Sequence, residues 1–335
     1  MSGSRPVIRP GRDSDASAFI ALTWACWSQY PGIRMDVDAE MPEYHALASY
    51  YAGRGGMLWA AEQDGAVVGM AAIRPLAAGE WEICRVYVHP SLHGSGLGHA
   101  LLETAERHPA EAVRFVLWSD TRFDRAHRFY EKHSYVRSGP IRVLNDLSAS
   151  LEYRYAKPRN GIETLDAAAA GSAIPRLSAM LIACVAEGAG VSFLPPLAPD
   201  VARGFWRDAA RDVATGKKIL LAGWVDGVLA GTVTLAIAMP ENQPHRAEVA
   251  KLLVDPAARR QGLARRLMGQ LEKEALKVNR PLLMLDTRAG EGGEQLYRAM
   301  GWTELGVVPG HALGKNGTYD DTVFFWKKLG EPPQF

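Results

Sequence analysis

Cysteine is scarce in this chain of 335 residues. Cys26, Cys84 and Cys184 are the only three, odd in number, far apart and without CxxC spacing. That argues against a disulfide framework and against a cysteine zinc site, and leaves the thiols reduced and structural. The nine histidines are scattered along the chain, so no metal is expected. Net charge is nearly absent as well: a balance of +1 gives no reason to expect nucleic acid or an acidic membrane as partner. The opening segment, MSGSRPVIRPGRDSD, lacks the apolar core of a signal peptide. No window reads as the roughly 20 apolar residues of a membrane span, so the expected location is cytoplasmic.

What the chain does have is repetition. Its length suggests two domains of about 150 residues each, and 47% hydrophobic with 22% charged residues is an ordinary globular balance. Pro90 and Pro256 lie 166 residues apart, and so do Gly96 and Gly262, Glu82 and Glu248, and Asp120 and Asp286. Tyr130 answers Tyr297 at 167, and QDGAVVGMAAI answers VDGVLAGTVTL at 162. Repeats of this kind decide the fold. The polar run Lys157-Pro158-Arg159-Asn160-Gly161 suits a boundary, which sets domains at 1–157 and 162–335 with 158–161 as linker.

Each half reads alike: a helical region, a hairpin through Asp64-Gly65 or Asp226-Gly227, a longer strand ending at the proline, then a glycine loop opening a helix. In the second copy Leu263, Leu267, Leu271 and Ala275 recur every four residues, one apolar stripe for a sheet. A buried strand (Pro281 to Asp286) and a short helix carrying Tyr297, closed by Gly301, complete the unit. The fold class is α/β with a mixed sheet, repeated.

A strand, a glycine loop and a helix N-terminus make an anion cradle, because unpaired N–H groups converge there with the positive end of the helix dipole. The spacing is neither GxGxxG nor GxxxxGK[ST]. It is Arg259-x-x-Gly262-x-Ala264 in the second half and His93-x-x-Gly96-x-Gly98 in the first. The former matches the (Q/R)xxGx(G/A) pyrophosphate loop of the GNAT acetyltransferases; the latter keeps the glycines but replaces the first residue. The chain thus resembles a tandem GNAT protein, which implies two folds each with a mixed, mostly antiparallel sheet flanked by helices, and acetyl-CoA bound at each loop.

The second half, from about Gly161 to Leu329, resembles more narrowly the tabtoxin-resistance acetyltransferases, through HRAEVAKLLVDPAARRQGLARRLM, LLMLDTRAGEGGEQLYRAMGW, GVVPGHAL, DTVFFWKKL and GVSFLPPL. That resemblance implies acetylation of the hydroxyl of tabtoxinine-β-lactam, with Glu248, Asp286 and Tyr297 as catalytic candidates. The first half matches only the broad family, and Ser134 replaces the glycine usual after the tyrosine helix.

Acetyl transfer needs a proton acceptor for the nucleophile, a polarised carbonyl and a proton for the thiolate. Glu248 and Asp286 on neighbouring strands suit the first task, and Tyr297 the last. Glu82, Asp120 and Tyr130 are their counterparts. Each residue also has a plainer reading: Asp286 as a turn cap, Glu248 as a binder of a substrate cation, Tyr297 as a core aromatic. In a GNAT-like sheet the two strands splay, and a strand N–H near Leu252 or Leu253 would bond the thioester oxygen. Candidate cofactor contacts are Leu252, Leu253, Val254, Arg259, Arg260, Gln261, Gly262, Leu263 and Ala264, and in the first half Val86, Tyr87, Val88, His93, Gly94, Ser95, Gly96, Leu97 and Gly98.

Trp24, Trp27 and Tyr30 would roof one acceptor pocket, and Phe193, Leu194, Pro195 and Pro196 would cover the other. His311 lies in the segment where the narrower family has its substrate loop. The expected partner is a small-molecule acceptor, an amine if not a hydroxyl, with no metal, nucleic acid or membrane. Assembly is expected as a monomer with an internal pseudo-dimer or as a homodimer. From a different class comes a reading in which one domain binds acetyl-CoA without chemistry, as a regulatory module.

Overall fold

In the computed structural model, which describes residues 4–77 and 79–330, the chain forms two units. One comprises Met1–Tyr130 with Arg137–Arg159, the other Glu131–Val136 with Asn160–Phe335. The chain runs through β1 (Val7–Pro10), α1 (Ala16–Trp27), the short helices α2 (Val37–Glu40) and α3 (Leu47–Ala52), β2 (Met57–Gln63), β3 (Ala66–Ala77) and β4 (Glu80–Val88). Then follow α4 (Leu97–Arg107), β5 (Arg114–Asp120), α5 (Asp124–Lys132), β6 (Val136–Arg137), β7 (Arg142–Val143) and β8 (Leu151–Pro158). Sheet order is β1-β2-β3-β4-β5-β8-β6, with β7 beside β8. Only β4 and β5 are paired in parallel among the registers described.

The long segment of the second unit runs from Asn160 into β9 (Gly161–Leu165), two residues after β8 ends at Pro158. It continues through α6 (Ala167–Ala186), α7 (Pro199–Ala214), β10 (Lys218–Val225), β11 (Val228–Ala236), β12 (Arg246–Val254) and α8 (Leu263–Lys277). The last elements are β13 (Leu282–Arg288), α9 (Gly292–Ala299), β14 (Thr303–Leu313) and β15 (Tyr319–Lys328). Its sheet runs β14-β15-β13-β12-β11-β10-β9, parallel only between β12 and β13. This is the α/β, mostly antiparallel arrangement expected from the sequence, formed twice.

Local chemistry explains the elements. Asp64 and Asp226 take left-handed φ values of 50° and 48°, each glycine after them does the same, and the flanking pairs Gln63↔Ala66 and Val225↔Val228 close two-residue hairpins. Leu263, Leu267, Leu271 and Ala275 are all buried, the stripe of α8 that lies on the sheet. Burying each leucine stabilises the unit by about 1.5–3 kcal/mol. The approach is close because β10 and β11 present Gly223 and Gly231, where an added Cβ would come within 2.8 Å of Leu263. Gly69 plays this part in the first unit, where a Cβ would meet Leu101 at 2.9 Å.

Against the expectation that no segment reaches membrane-span length and apolarity, α6 is 20 residues long and has an 18-residue stretch of mean hydropathy 1.5, more than half of it buried inside the protein. Its Ala169, Ala173, Leu177, Met180, Leu181, Cys184 and Val185 pack with Trp206 of α7 and with Leu220 and Trp224 of β10. A helix covered on one face by a sheet and on another by a second helix is apolar over much of its circumference for that reason.

Candidate functional site

In both units the strand before the glycine loop parts from its parallel neighbour. β12 pairs with β13 only from Arg246 to Glu248, and β4 with β5 only from Glu80 to Glu82. The cause is a bulge. Thr232 pairs with Leu253 and Thr234 with Ala250, so two residues of β12 face one of β11, and the same slip separates Met70↔Tyr87 from Ala72↔Cys84. An extra residue bends the strand and leaves its outer main chain unpaired. The bulge residues, Lys251 and Arg85, have left-handed φ values of 54° and 52°.

Downstream of the splay, each loop is built to the same plan. Gly96 and Gly262 cap α4 and α8 in the left-handed conformation (φ 88° and 74°) with no side-chain cap. A Cβ at either glycine would meet nothing within 4 Å, and of the first-turn groups Leu97 N–H in the first loop donates to Ser95 Oγ at 3.4 Å. Two residues earlier, Gly94 and Arg260 are also left-handed (φ 85° and 63°). In the second loop the helix start without a side-chain cap, the positive φ values at Arg260 and Gly262 and the exposed Arg259 and Arg260 fit a pyrophosphate. Leu97 and Leu263 are buried under the helices, and Gly98 lies 3.4 Å from the Phe129 ring, measured from an added Cβ, so these three shape the loop from below.

The departure at His93 is smaller than it looks. Arg259 Nε donates to the Val254 carbonyl at 3.4 Å, and His93 Nε2 donates to the equivalent Val88 carbonyl at 3.1 Å. Because a carbonyl only accepts, that nitrogen carries the proton, and Nδ1 is free to accept from Arg125. Burial and then the Arg125 charge hold the imidazole below its ordinary pKa. Thus the first loop carries a neutral ring where the second carries a guanidinium, itself paired with Glu187. The same two carbonyls accept from Cys26 and Cys184, each at 3.4 Å, and burial pushes the Cys26 thiol up to about 11. These thiols are protonated strand-end donors.

In the second unit Glu248 is 52% exposed and its nearest cation is Arg246 on the same strand, at 2.9 Å. Asp286 is exposed on β13, which runs two residues further, to Arg288. Arg288 turns away from Asp286, to the Asp320 carboxylate (3.0 Å), to Glu291 and to the Gly188 carbonyl (2.6 Å). Tyr297 on α9 is 6% exposed among Trp302 and Phe325. Burial, then the charge of Asp286, raises its phenol pKa and keeps it protonated. At the bulge, Lys251 Nζ lies 3.2 Å from Ser192 Oγ, over the rings of Phe205 (5.4 Å) and Phe193 (5.9 Å). Phe193 therefore stands at the splayed strand, whereas Leu194 is 45% exposed.

The corresponding groups of the first unit are closed. Arg74 binds Glu82, which is 7% exposed, through Nε (2.6 Å) and Nη2 (2.5 Å). Asp120 is 5% exposed and accepts from the Arg122 main chain (2.9 Å), Nε (2.8 Å) and Nη2 (2.6 Å). Burial would raise the Asp120 pKa, but those bonds outweigh it and hold the carboxyl below its usual range. Arg85 donates to Glu43 at 2.7 Å and lies over Tyr44. Tyr130 is buried and its pKa raised by burial, as for Tyr297. Trp27 donates to the Tyr87 hydroxyl at 3.0 Å, Tyr30 packs on Phe123, and Trp24 is 47% exposed.

The structure thus sets Glu248, Asp286 and Tyr297 around one splayed strand pair. His311 is elsewhere, packed edge-on against Phe324 on the β14–β15 hairpin. A polar cleft of about 530 Å³ is lined by Arg288, Lys315 and Asp320, and Asp286 is not among its lining residues. Sequence reasoning missed Lys251, Ser192 and the closing residues Arg74, Arg122 and Glu43. The signal for Lys251 was available: Arg85 and Lys251 are also 166 apart.

A repeated α/β unit with a splayed parallel pair and an open anion loop defines a class of acyl-group transferases by fold. The acetyltransferase (GNAT) family profile matches residues 18–135 and again 192–302, more than half of the chain, and the chain belongs to that family. It is similar to an uncharacterized N-acetyltransferase in the hisH-hisA intergenic region of Azospirillum brasilense, 34% identical over 106 residues, which are 31% of this chain and 61% of that protein. Solved structures with a similar fold include an N-acetyltransferase from Staphylococcus aureus (17% identity, 51% of this chain and 99% of that one, TM-score 0.44). Another is a ribosomal-protein-alanine N-acetyltransferase from Brucella melitensis (22%, 50% and 99%, 0.43). A third is yncA, a putative acetyltransferase from Salmonella typhimurium with its cofactor acetyl-CoA (18%, 52% and 97%, 0.43).

Proposed function

We propose that the second unit transfers the acetyl group of acetyl-CoA to a hydroxyl or amine of a small polar acceptor, and that the first unit holds acetyl-CoA at its loop without chemistry. The cosubstrate supplies an activated acetyl thioester. The residues of the chain do the rest: Arg259, Arg260 and the first turn of α8 hold the pyrophosphate, and the unpaired main chain near Leu252 and Leu253 presents N–H groups to the developing oxyanion. As the acceptor's oxygen or nitrogen bonds to the acetyl carbon and the carbon–sulfur bond breaks, Glu248 or Asp286 takes the acceptor's proton and the Tyr297 hydroxyl protonates the departing thiolate.

One observation carries the assignment to the second unit: Glu248 and Asp286 stand exposed beside the unpaired stretch of β12, whereas Glu82 and Asp120 are buried and bound by Arg74 and Arg122. For the acceptor, the resemblance of residues 161–329 implies tabtoxinine-β-lactam and hence a resistance function. Coenzyme A release followed with a thiol reagent, using that lactam beside a panel of amines, tests it. Release with the lactam that is lost in Tyr297→Phe supports the resistance reading; release only with an amine makes the enzyme an N-acetyltransferase of that amine; release with neither at any concentration removes the reading.

A further inference from the structure

The internal repeat shows what its bulge position can bind. Arg85 and Lys251 are equivalent in register, in left-handed conformation and in charge. A non-glycine residue in that conformation costs about 1–2 kcal/mol, and both units retain it at the point where the strand leaves its neighbour. In the first unit the cation has a carboxylate: Glu43, from the turn at Pro42–Ala46, sits 2.7 Å from Arg85 Nη2, with Tyr44 beneath the guanidinium at 4.7 Å. In the second unit the aromatic floor is kept, as Phe193 and Phe205, but the carboxylate is not. Lys251 forms no ion pair within 4 Å among the described residues; the charge of Asp286 reaches it only from a distance, and Ser192 takes one of its three donors.

We propose that Lys251 is the carboxylate-binding residue of the second unit's acceptor site, so that the acceptor is a small molecule of amino-acid type whose carboxylate occupies the place that Glu43 fills in the first unit. This rests on the reading of the second unit as the transferring one. An ammonium over two aromatic rings loses hydration, and a ligand carboxylate restores a counter-charge where the local dielectric is low. Glu248 lies three residues before Lys251 on the same strand, about 10 Å at 3.3 Å per residue. An acceptor that spans the two presents its carboxylate at one end and its hydroxyl or amine at the other. Specificity of this kind acts on binding more than on the chemical step.

The test pairs acids with their amides. With acetyl-CoA saturating, L-lysine, L-ornithine, L-threonine and L-homoserine are compared with their C-terminal carboxamides for coenzyme A release, and calorimetric titration of the coenzyme A-loaded protein reads their binding. The acids are expected to be preferred by about 10- to 100-fold, the range for a charge-assisted bond. Lys251→Met should raise KM by a similar factor, change kcat by less than about threefold and erase the preference, while Lys251→Arg restores it. Neither variant should alter acetyl-CoA binding.

Equal use of acids and amides overturns the proposal, and so does a preference that survives Lys251→Met. Failure of the loaded protein to bind any acid overturns it too. Transfer to amines without a carboxylate, such as spermidine, would leave the transferase reading intact and remove this one. Carboxylate-dependent binding lost in Lys251→Met, with no transfer to anything, would do the reverse.

Discussion

The two units differ less in what they contain than in where their charges go. At three equivalent positions the first unit satisfies its own side chains: Glu82 with Arg74, Asp120 with Arg122, Arg85 with Glu43. The second keeps the acidic pair and the cation but leaves all three without those partners. Ala236 takes the place opposite Glu248 that Arg74 holds opposite Glu82. Arg288 turns toward Asp320 and Glu291 instead of back to the preceding carboxylate. A duplicated scaffold can therefore keep its cradle and its strand geometry while one copy's acceptor side is filled by its own chain. The lesson is that repeat equivalence of residue type does not establish equivalence of role.

The largest expected effect sharpens this contrast. On the proposal that Tyr297 protonates the thiolate, Tyr297→Phe should lower kcat by about 10²- to 10⁴-fold, whereas Tyr130→Phe should leave turnover within a factor of two or so. Stopped assays of coenzyme A release on both variants decide it. Equal losses in the two would mean that both units turn over, and the comparison would break.

Stability should show the opposite asymmetry. Arg74→Ala leaves the buried Glu82 without its cation and should destabilise the first unit by about 3 kcal/mol. Arg246→Ala breaks a half-exposed pair and should cost under about 1 kcal/mol. Denaturant unfolding of each variant measures the difference. If Arg74→Ala were as mild as Arg246→Ala, the closure of the first site would be a surface contact and not a structural commitment.

Much of this was legible in the sequence, and the reasons are particular. An offset of 166 located both glycine loops and the Glu and Asp pairs, and near offsets of 167 and 162 located the tyrosines and the Asp-Gly hairpins, because loop geometry and strand length are tightly coupled to glycine and proline positions. Closure of the first unit was not legible, since it depends on which residue of β3 faces Glu82 across the ladder and on which way a long arginine turns. Lys251 was missed because a cation in a strand ordinarily reads as solvated; only the bulge, made by one extra residue of β12 opposite β11, sets it over aromatic rings. In α6, Pro175 and Arg176 interrupt what is otherwise an apolar segment, and its packing under the sheet is a tertiary fact.

pH offers a third comparison. Burial holds the Lys251 pKa below its ordinary 10.5, with Lys218 adding to the shift and Asp286 opposing it. A carboxylate-bearing acceptor should therefore bind well while the ammonium is charged and lose affinity as pH rises through that lowered value, below the point where a free lysine titrates. Burial penalises the ammonium in the folded chain relative to the unfolded one, so stability rises as pH increases between the lowered folded value and the ordinary 10.5. Arg85, held well above the ordinary arginine value, keeps its ion pair with Glu43 over this range. A pH profile of KM against Lys251→Arg checks the sign: the arginine variant should remain flat where the parent weakens.

The smallest effect concerns the turn after the tyrosine helix. Gly301 and Ser134 occupy equivalent places with φ of 74° and 69°. Glycine takes that conformation freely, while serine meets the clash between Cβ and the following carbonyl, at a cost of about 1 kcal/mol. Ser134→Gly should relieve it and raise the melting temperature by about 2–4 °C, without changing turnover. Gly301→Ser should lower stability by a like amount and, because α9 carries Tyr297, should also slow coenzyme A release. If the two substitutions moved activity equally, the tyrosine helices of the two units would be doing the same work, and the distinction drawn from their charged neighbours would not hold.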